Sequence, residues 1–440
     1  MPTKRSFEAS SPRQRRAVRR PLPRGHYRYV RRRWHVVCAL IDMIGSLAFA
    51  TARWLARRRR SWAVDDSQVQ RILLIQLDHL GDAAITLQVL PALARRFPAA
   101  SIDVLAGAWT SELFAASPAV DRVYISRTNR FRNRGYGRWL PAMVRWGPTL
   151  HRHRYDVAID VRGDLPIALL LWLTGARHRI GWAAAGGGFL LTDSPDYVAG
   201  RPEIESRWAL LACLGVARDQ SAPSNSGLQI DSAARRRAAR ILGDLSGQSR
   251  PCVVLHLGAG TDAKRWPITH WRTLIDALID TERANVLLVG ADADRARASS
   301  ITGGRPDGVR DLTGRLRLGE LAALLDAADV FVGGDSGPAH LAAKLAAATV
   351  VIFSSTNEID QWRPRGARVR VLRHNVACQP CHRTECVWSE HPCMNGISPA
   401  RVLLAVRQAL RQHTDRSVAP RTADDCGRNP DLTLSSRGAA

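Results

Sequence analysis

The sequence lacks the features that mark three common classes of protein. Eight cysteines among 440 residues are too few and too unevenly placed for a secreted disulfide scaffold, so a reducing compartment is the default. The apolar stretch 36–50 is shorter than the ~20 residues that a membrane-spanning helix needs. No G-x-x-x-x-G-K-S/T motif is present, which argues against a P-loop nucleotide hydrolase. The composition is otherwise that of a globular protein, with 45% apolar and 23% charged residues.

Lysine is also scarce, and the positive charge is unevenly distributed. Of the 64 basic residues only three are lysines, namely Lys4, Lys264 and Lys344. Residues 1–60 hold 17 basic and two acidic groups, a net charge of +15 out of a total of +25. Most of the basicity therefore belongs to an N-terminal arm rather than to a nucleic-acid-binding face, and no nucleic-acid partner is expected.

The arm combines a polar segment with one apolar stretch. Residues 1–33 are rich in Arg and Pro and are predicted to be disordered. The stretch 36–50 contains Asp42 and has arginine clusters on both sides, one of which would have to cross the bilayer in a spanning helix. No small-residue cleavage site follows it, as a signal peptide would require. The pattern favours an in-plane helix on an anionic membrane surface, with a helix packed on the protein's own surface as the alternative.

From Arg71 onward the sequence predicts two doubly wound α/β domains in tandem. Short, nearly continuous apolar runs alternate with helical stretches such as 83–97, which is typical of parallel sheets covered on both faces. The Ser/Pro-rich stretch 217–229 indicates a linker. The predicted strands are 71–77, 101–107, 122–126 and 156–161, then 251–257, 285–290, 329–334, 349–353 and 369–373. The predicted units are a basic arm with a membrane-interacting helix at 1–65, domains at 66–222 and 230–413, the second ending in a helix over 399–412, and a disordered tail at 414–440.

Chemistry is expected in the loops after strands, because ligands of open α/β sheets bind at the carboxyl ends of the strands. The first strand leads into LGD, which puts Asp82 at the start of a helix. There the carboxylate could serve as a general base facing the cleft between the domains, or simply cap the helix. Position alone leaves both interpretations open.

The second half opens with a glycine-containing loop, VVLHLGAGTDAKRWP. Gly258, Gly260 and Ala263 fit the dinucleotide fingerprint G-x-G-x-x-A, which would suit an NAD(P)-dependent oxidoreductase. That fingerprint requires a helix to start at once, whereas Pro267 indicates a later start and a longer loop. Lys264 lies in the same loop, where its ammonium group could neutralise a phosphate or be a solvated surface charge.

A second loop has the residue types of a phosphate cradle. The strand at 329–334 ends in GDSGPAH, followed by a helical stretch. Small residues with proline early in the helix let backbone N–H groups point at an anion along the helix dipole. Asp335 could also be a helix cap, and His340 could face the phosphate or pack inside the protein.

These motifs together resemble glycosyltransferase family 9, the heptosyltransferases of lipopolysaccharide core assembly. The resemblance runs from about residue 71 to 410 and rests on LGD, GAGTDAKRWPITHW, GDSGPAHLAAKL and the stretch CQPCHRTECVWSEHPCM, in that order. It implies the GT-B fold, in which two Rossmann-like domains face each other across a cleft. It also implies transfer of a heptose from ADP-heptose to the inner core with inversion, without a nucleotide-bound metal and without a cofactor.

The resemblance also implies roles for individual residues. Asp82 resembles the carboxylate that deprotonates the acceptor hydroxyl, and Lys264 resembles the catalytic lysine on the donor phosphates. Asp294 matches the carboxylate on the nucleotide ribose most closely. The family pattern departs at FSST, 353–356, where FGPT is usual. The expected donor-binding residues are Gly258, Ala259, Lys264, Asp294, Asp335, Ser336, Gly337, Pro338 and His340.

Two further clusters are open to more than one interpretation. The stretch 127–139 holds five arginines among aromatic residues, which could bind the carboxylates and phosphates of an inner-core acceptor or form a solvated loop. Four cysteines within sixteen residues suffice by number for a zinc or iron–sulfur site, but their spacing matches no common ribbon, so no metal is expected. The arginines are Arg127, Arg130, Arg132, Arg134 and Arg138; the cysteines are Cys378, Cys381, Cys386 and Cys393.

The leading hypothesis is an inverting, metal-independent hexosyl- or heptosyltransferase. Its expected partners are a nucleotide-sugar donor such as ADP-heptose, a lipid-linked saccharide acceptor and, through residues 1–60, an anionic membrane surface. Its expected location is cytoplasmic and peripheral at the inner membrane. An oxidoreductase using Gly258–Ala263 and a non-catalytic membrane-associated binding protein are the alternatives; the presence of both Asp82 and Lys264 argues against the latter.

Overall fold

The computed structural model describes residues 32–49, 68–127, 136–218, 228–244, 250–302 and 308–418. The disorder predicted for the start of the arm and for most of the tail lies outside the described residues, as does most of the expected linker. The strands are β1 Arg71–Gln76, β2 Ser101–Gly107, β3 Arg122–Ser126, β4 Val157–Asp160, β5 His178–Ile180, β6 Cys252–His256, β7 Asn285–Val289, β8 Val309–Asp311, β9 Val330–Gly334, β10 Thr349–Ile352 and β11 Val369–Leu372.

Helices surround the strands and cover both sheets. The α-helices are α1 Arg32–Ala48, α2 Leu80–Thr86, α3 Leu90–Arg96, α4 Ser111–Ala115, α5 Tyr136–His151, α6 Leu165–Leu173, α7 Glu203–Ala212, α8 Ser232–Gly243, α9 Ile268–Asp280, α10 Arg295–Thr302, α11 Leu318–Ala327, α12 Gly337–Lys344, α13 Ile359–Trp362, α14 Pro392–Asn395 and α15 Pro399–Val418.

The strands form two parallel sheets. Their orders are β3-β2-β1-β4-β5 and β11-β10-β9-β6-β7-β8. In the first sheet Ile75 lies beside Leu105 of β2 and Asp160 of β4. The strand order reverses next to the first strand of each sheet, between β1 and β4 and between β6 and β9, and such switch points are where doubly wound sheets bind ligands. The expected α/β class with two doubly wound domains is confirmed.

The buried faces of the strands explain how the two sheets share a core. In β1, Ile72 and Leu74 pack into a core that extends into both domains, whereas Leu73 and Ile75 pack on the opposite face of the sheet. The strand β6 has the same arrangement. Val254 packs into the shared core, whereas Val253 and Leu255 pack into a separate core on the opposite face of the sheet. Strands buried on both faces must be apolar at every position, which is why they are recognisable as continuous runs in the sequence.

Several elements differ from the sequence-based expectations. The single helix predicted over 83–97 is two helices, α2 and α3, because Pro91 cannot continue a helix but suits the first turn of a new one. The short strands β5 and β8, each of three residues, were not predicted. The last helix passes its expected end at Gln412 and runs to Val418, so the first residues of the expected tail are helical.

Helix α1 lies against the N-terminal domain along one face. Cys38 is buried, and a carboxylate oxygen of Asp42 accepts a hydrogen bond from the Gly187 N–H at 2.7 Å. Gly45 lies against the Phe189 ring so closely that a Cβ atom would stand 2.3 Å from it. One face of the helix is therefore packed on the protein's own surface.

The opposite face of α1 is open to solvent and apolar. Val36, Ile44 and Leu47 are 60%, 63% and 73% exposed. No helix in the described part of the chain has the length and apolar character needed to cross a bilayer. The other exposed apolar residues of this face are Val37, Leu40 and Met43.

Helices α2 and α12 pack closely against each other across the two domains. A Cβ atom on Gly337 would stand 2.5 Å from the Leu80 Cβ, and one on Gly81 would stand 3.0 Å from the His340 ring. Each helix thus presents a glycine where the other presents a side chain. The loops after β1 and β9 meet because these two positions lack side chains.

We expect Gly337→Ala to destabilise the protein by about 1–3 kcal/mol, because the added methyl group overlaps Leu80 and forces the two helices apart. The matched control is Gly243→Ala at the end of α8, where a Cβ meets nothing within 4 Å. That substitution should be neutral or stabilising, since alanine costs less conformational entropy in a helix than glycine. Urea unfolding of both variants checks this, and equal stability of the two would contradict the packing argument.

Candidate active site

Asp82 lies in the first turn of α2, three residues after His79, where the helix begins. It is 9% exposed and lies at the carboxyl end of β1, on the side of the domain that meets α12. Its Oδ1 atom is 3.4 Å from an Nη2 of Arg207, a buried residue of α7. This arginine also pairs with Glu203 of its own helix at 2.9 Å.

The surroundings of Asp82 shift the pKa of its carboxyl group upward. Burial raises the pKa of its carboxyl group to about 6, against the lowering effect of Arg207, while Glu203 raises it further. A base with a pKa near the working pH combines ionisation with affinity for a proton. A mere helix cap would be expected to have a depressed pKa, because the helix N-terminus favours the charged form.

The second charged cluster lies at the switch point of the C-terminal sheet. The Lys264 ammonium is 2.7 Å from Oδ2 of Asp335, which directly follows β9. Asn357 donates a hydrogen bond to the same oxygen at 3.4 Å. Asp335 is buried, whereas Lys264 keeps some exposure. The ammonium group therefore lies at the surface of the cleft, on a carboxylate that fixes its position.

The loop between β9 and α12 leads directly into the N-terminus of a helix. Gly337 and Pro338 form the first turn of α12, and the preceding Ser336 has extended backbone. The Ser336 hydroxyl is 3.2 Å from Nδ1 of His256, a residue at the end of β6 whose pKa is lowered to about 4 by burial. An anion at this helix N-terminus would meet the Gly337 N–H and the positive end of the helix dipole, since Pro338 has no N–H and those of Ala339 and His340 donate to the Ser336 carbonyl.

His340 packs inside the protein rather than on the surface of the loop. It is 8% exposed and lies against Gly81. Burial lowers the pKa of its imidazole to about 4, so it is neutral at physiological pH. Contact of His340 with a donor phosphate stays a prediction. Lys344, at the other end of α12, is also buried.

Asp294 lies beside the glycine loop after β6, as its expected role requires. Its Oδ2 atom accepts a hydrogen bond from the Ala291 N–H at 3.0 Å. A Cβ atom on Gly258 would stand 2.5 Å from the same oxygen, so the loop needs glycine there. Ala259 follows in the same loop and is half-buried.

The glycine loop does not have the geometry of a dinucleotide fingerprint. It is followed by a short 3₁₀ turn, Asp262–Lys264, and then by α9, which begins only at Ile268 after Pro267. A fingerprint needs the helix N-terminus directly at its glycines to hold the pyrophosphate. The structure thus removes the physical basis of the oxidoreductase alternative.

The cysteine-containing segment forms hydrogen bonds with the glycine loop and with the loop after β10. The Ala263 N–H donates to the Thr384 carbonyl at 3.0 Å, and the His391 ring lies 3.1 Å from the Ala263 carbonyl. The Cys381 N–H donates to the Ser355 carbonyl at 3.0 Å. All four cysteines of the segment are free thiols. Within the described residues, no group of three or more His, Cys, Asp or Glu is arranged to hold a metal ion.

The arginine cluster proposed for the acceptor is only partly described. Arg127 follows β3 and is exposed. Arg130, Arg132 and Arg134 lie outside the described residues, as does the side chain of Arg138 in α5. Acceptor binding by this cluster stays a prediction.

Four polar residues of the site were not found from the sequence. From α7, Arg207 contacts Asp82, and Glu203 contacts Arg207. In the other domain, His256 contacts Ser336 and Asn357 contacts Asp335, both in the loop after β9. His256 could have been found, since it ends an apolar strand directly before the glycine loop. The other three lie in ordinary helical or loop sequence without a motif.

Comparison with known proteins places these features in one family. The model of glycosyltransferase family 9 (heptosyltransferase) matches residues 143–391, a range that includes Lys264 and Asp335 and begins after Asp82. Lipopolysaccharide heptosyltransferase 2 of Escherichia coli K12 is 27% identical over 354 residues, which cover 78% of this chain and 99% of that protein.

Two solved structures share the fold. The ADP-heptose lipopolysaccharide heptosyltransferase II of E. coli superposes with a TM-score of 0.63 at 24% identity, covering 78% of this chain and 100% of that one. An E. coli heptosyltransferase solved with ADP-2-deoxy-2-fluoro heptose has a TM-score of 0.59 at 21% identity, covering 77% and 99%. These similarities confirm the expected GT-B fold.

We expect Lys264→Met to lower the free energy of unfolding by about 1.5–3 kcal/mol, because it leaves the buried Asp335 carboxylate without its charged partner. Adding Asp335→Asn should restore at least half of the loss, since a neutral amide needs no cation. Arg265→Met is the control, because Arg265 pairs with the exposed Asp262, and should change stability by less than about 0.5 kcal/mol. Simple additivity of the two site substitutions in urea unfolding would contradict the coupling.

Proposed function

Because the chain belongs to glycosyltransferase family 9, we propose that it transfers a heptose from ADP-heptose to a lipid-linked saccharide acceptor such as the lipopolysaccharide inner core. The proposal rests on one residue from each of the two facing domains. Asp82 supplies a buried carboxylate of raised pKa, and Lys264 supplies a cation. Transfer from a nucleotide sugar needs both: a base for the incoming hydroxyl and positive charge for the departing diphosphate.

The donor binds to the C-terminal domain. Lys264 and the positive end of the α12 dipole supply the charge stabilisation for the leaving ADP, so the mechanism needs no metal ion. Asp335 holds Lys264 in place until a diphosphate competes for its ammonium group. Asp294 lies beside Gly258 and is the residue that would bind a ribose hydroxyl of the donor.

The acceptor is activated from the N-terminal domain. As the acceptor hydroxyl attacks the anomeric carbon, Asp82 takes its proton, and the bond to the diphosphate breaks on the opposite face. A single displacement of this kind inverts the configuration at the anomeric carbon. The close approach of α2 and α12 brings base and donor together, and closure of the domains excludes water from the reacting groups.

The same proposal places the protein at the inner face of a membrane. Helix α1 is fixed to the N-terminal domain by one face and exposes apolar side chains on the other. Trp172 of α6, which is 42% exposed and in ring contact with Phe49, extends that apolar surface. Arginine clusters on both sides of the helix favour anionic headgroups. A peripheral position gives the site access to an acceptor that is anchored in lipid.

The catalytic claim is tested by Asp82→Asn in the purified full chain, with ADP release from ADP-heptose and a lipid-linked acceptor as the readout. Turnover at saturating substrates should fall at least ~10²-fold, because the amide cannot take a proton. The melting temperature at pH 7.5 should be no lower than that of the parent. The folded-state pKa of Asp82 is raised, so the ionised carboxylate costs stability above pH 6 and the amide removes that cost.

The outcome that would contradict the claim is near-parent turnover in the folded variant, which would leave Asp82 as a helix cap. A panel of ADP, GDP and UDP sugars run with the parent protein tests the donor separately. Release of GDP or UDP but not ADP would overturn the donor assignment while leaving the base in place.

The membrane claim predicts that the exposed face of α1 carries binding. Replacing Leu40, Ile44 and Leu47 together by serine should reduce co-sedimentation with anionic phospholipid vesicles at least about tenfold, because each side chain loses apolar area that the bilayer would bury. A control triple variant replaces exposed apolar residues elsewhere by serine and should bind like the parent. Equal losses in both variants would refute a specific role for α1. The control residues are Val198, Val387 and Leu404, which are 47%, 42% and 54% exposed.

A further inference from the structure

Asp82 belongs to a buried polar network centred on Arg207. The guanidinium of Arg207 contacts three partners, namely Asp82 at 3.4 Å, Glu203 at 2.9 Å and the Thr86 hydroxyl at 3.2 Å. Arg207 is only 3% exposed. A planar group with several donors can hold three acceptors in fixed directions, which an ammonium group cannot.

The network continues beneath the loop that carries Asp82. The Thr86 hydroxyl donates to Gln76 of β1 at 2.7 Å, and the Gln76 amide donates to Asp78 at 3.3 Å. Asp78 in turn forms an ion pair with Arg162, which follows β4. The backbone on both sides of Asp82 is thereby anchored by hydrogen bonds that solvent does not reach.

The network also crosses to the donor-binding domain. Gln361 of α13 donates a hydrogen bond from its amide to Oε1 of Glu203 at 2.8 Å, while the other carboxylate oxygen of Glu203 holds Arg207. Gln361 is thus three contacts away from Asp82, because Glu203 and Arg207 lie between them. Opening of the domains would break the first of these contacts and leave the others within one domain.

We propose that Arg207 is a positioning residue for Asp82, and that Glu203 and Gln361 make this positioning depend on contact between the two domains. The inference rests on the proposed role of Asp82 as the base. Arg207 orients the carboxylate, and because Glu203 shares the guanidinium, the charge of Asp82 is only partly compensated. A base compensated completely would lose its affinity for the acceptor's proton.

The other charged groups around Asp82 are engaged elsewhere. Glu112 of α4 accepts hydrogen bonds from the Leu318 and Gly319 N–H groups at 3.1 and 3.0 Å, and so caps α11. Lys264 pairs with Asp335 across the cleft. The remaining titratable groups facing α2 are Asp78 and His79 of the preceding loop and His340 of α12, which is neutral because burial lowers its pKa to about 4.

Arg207 and Glu203 therefore act on Asp82 with opposite signs. Arg207 lowers the pKa of Asp82 and Glu203 raises it. The base must be ionised to act, so the acidic limb of the kcat–pH profile follows this pKa. Removing Arg207 should move the limb to higher pH, and neutralising Glu203 should move it to lower pH. A purely structural role would lower kcat without opposite displacements of the limb.

The test measures kcat between pH 5.5 and 9 by ADP release, using the full chain. Glu203→Gln keeps the shape of the side chain and can bond both neighbours, so it should fold, and its limb should move down by about one pH unit. Arg207→Gln should move the limb up by a similar amount and lower kcat at pH 7 at least about tenfold, with Arg207→Lys between it and the parent.

A variant of a third residue, Gln361, addresses the contact between the domains. Gln361→Leu should lower kcat severalfold at saturating donor while leaving the dissociation constant for ADP unchanged, because Gln361 contacts Glu203 rather than the phosphate loop. The matched control is Arg407→Gln, which removes another arginine–glutamate pair, Arg407 with Glu282 at 2.6 Å, far from the cleft. Its profile should coincide with that of the parent.

The results separate this inference from the proposed function. An unmoved limb in Glu203→Gln, together with an inactive Asp82→Asn, would overturn the role of Arg207 and leave Asp82 as the base. An active Asp82→Asn would remove the base itself. If Glu203→Gln and Arg207→Gln move the acidic limb of the kcat–pH profile in the same direction, the inference is also overturned. Displacements in opposite directions support it.

Discussion

The contact between α2 and α12 is the constraint on which the rest of the site depends. Gly81 and Gly337 leave room for His340 and Leu80, so the two helices meet without an intervening layer of side chains. Asp82 lies in the first turn of α2, and its burial raises the pKa of its carboxyl group. The same approach brings the N-terminus of α12 to the base. Reactivity and proximity thus follow from one packing arrangement.

The buried carboxylates of the two domains have different cations as partners: an arginine in one domain and a lysine in the other. Arg207 has a fixed fork and stays buried among protein partners, which suits a residue that keeps a carboxylate in one orientation. Lys264 is a point charge on a flexible stem and keeps some exposure. It can leave Asp335 for a phosphate without breaking several bonds at once. In a chain with only three lysines, a lysine at this position is consistent with that task.

The fold could be predicted from the sequence where burial alone determines a segment. Strands such as β1 and β6 are apolar throughout because both of their faces are covered. The strand β5 escaped prediction because three residues at a sheet edge leave too short an apolar pattern. The break between α2 and α3 escaped prediction because Pro91 suits the start of a new helix as well as the end of an old one.

The candidate site was predictable only where residues follow strands in short motifs. Asp82, Lys264 and Asp335 each lie within a few residues of a strand end, so their loops could be placed at the cleft. Arg207 and Gln361 come from helices far along the chain, and Arg207 is one of 64 basic residues. Their contacts arise from the packing of α7 and α13, which no local pattern encodes.

Under the proposed membrane association, the position of α1 determines which domain stays at the lipid surface. The helix is held by Gly187 and Phe189, both of which belong to the N-terminal domain, the one that carries Asp82. A lipid-linked acceptor cannot leave the bilayer, whereas a nucleotide sugar diffuses in water. Fixing the acceptor domain to the lipid surface leaves the donor domain free to open, release ADP and close again on a new donor. In the proposed cycle, the hydrogen bond between Gln361 and Glu203 would form at each closure and hold Asp82 when the donor is present.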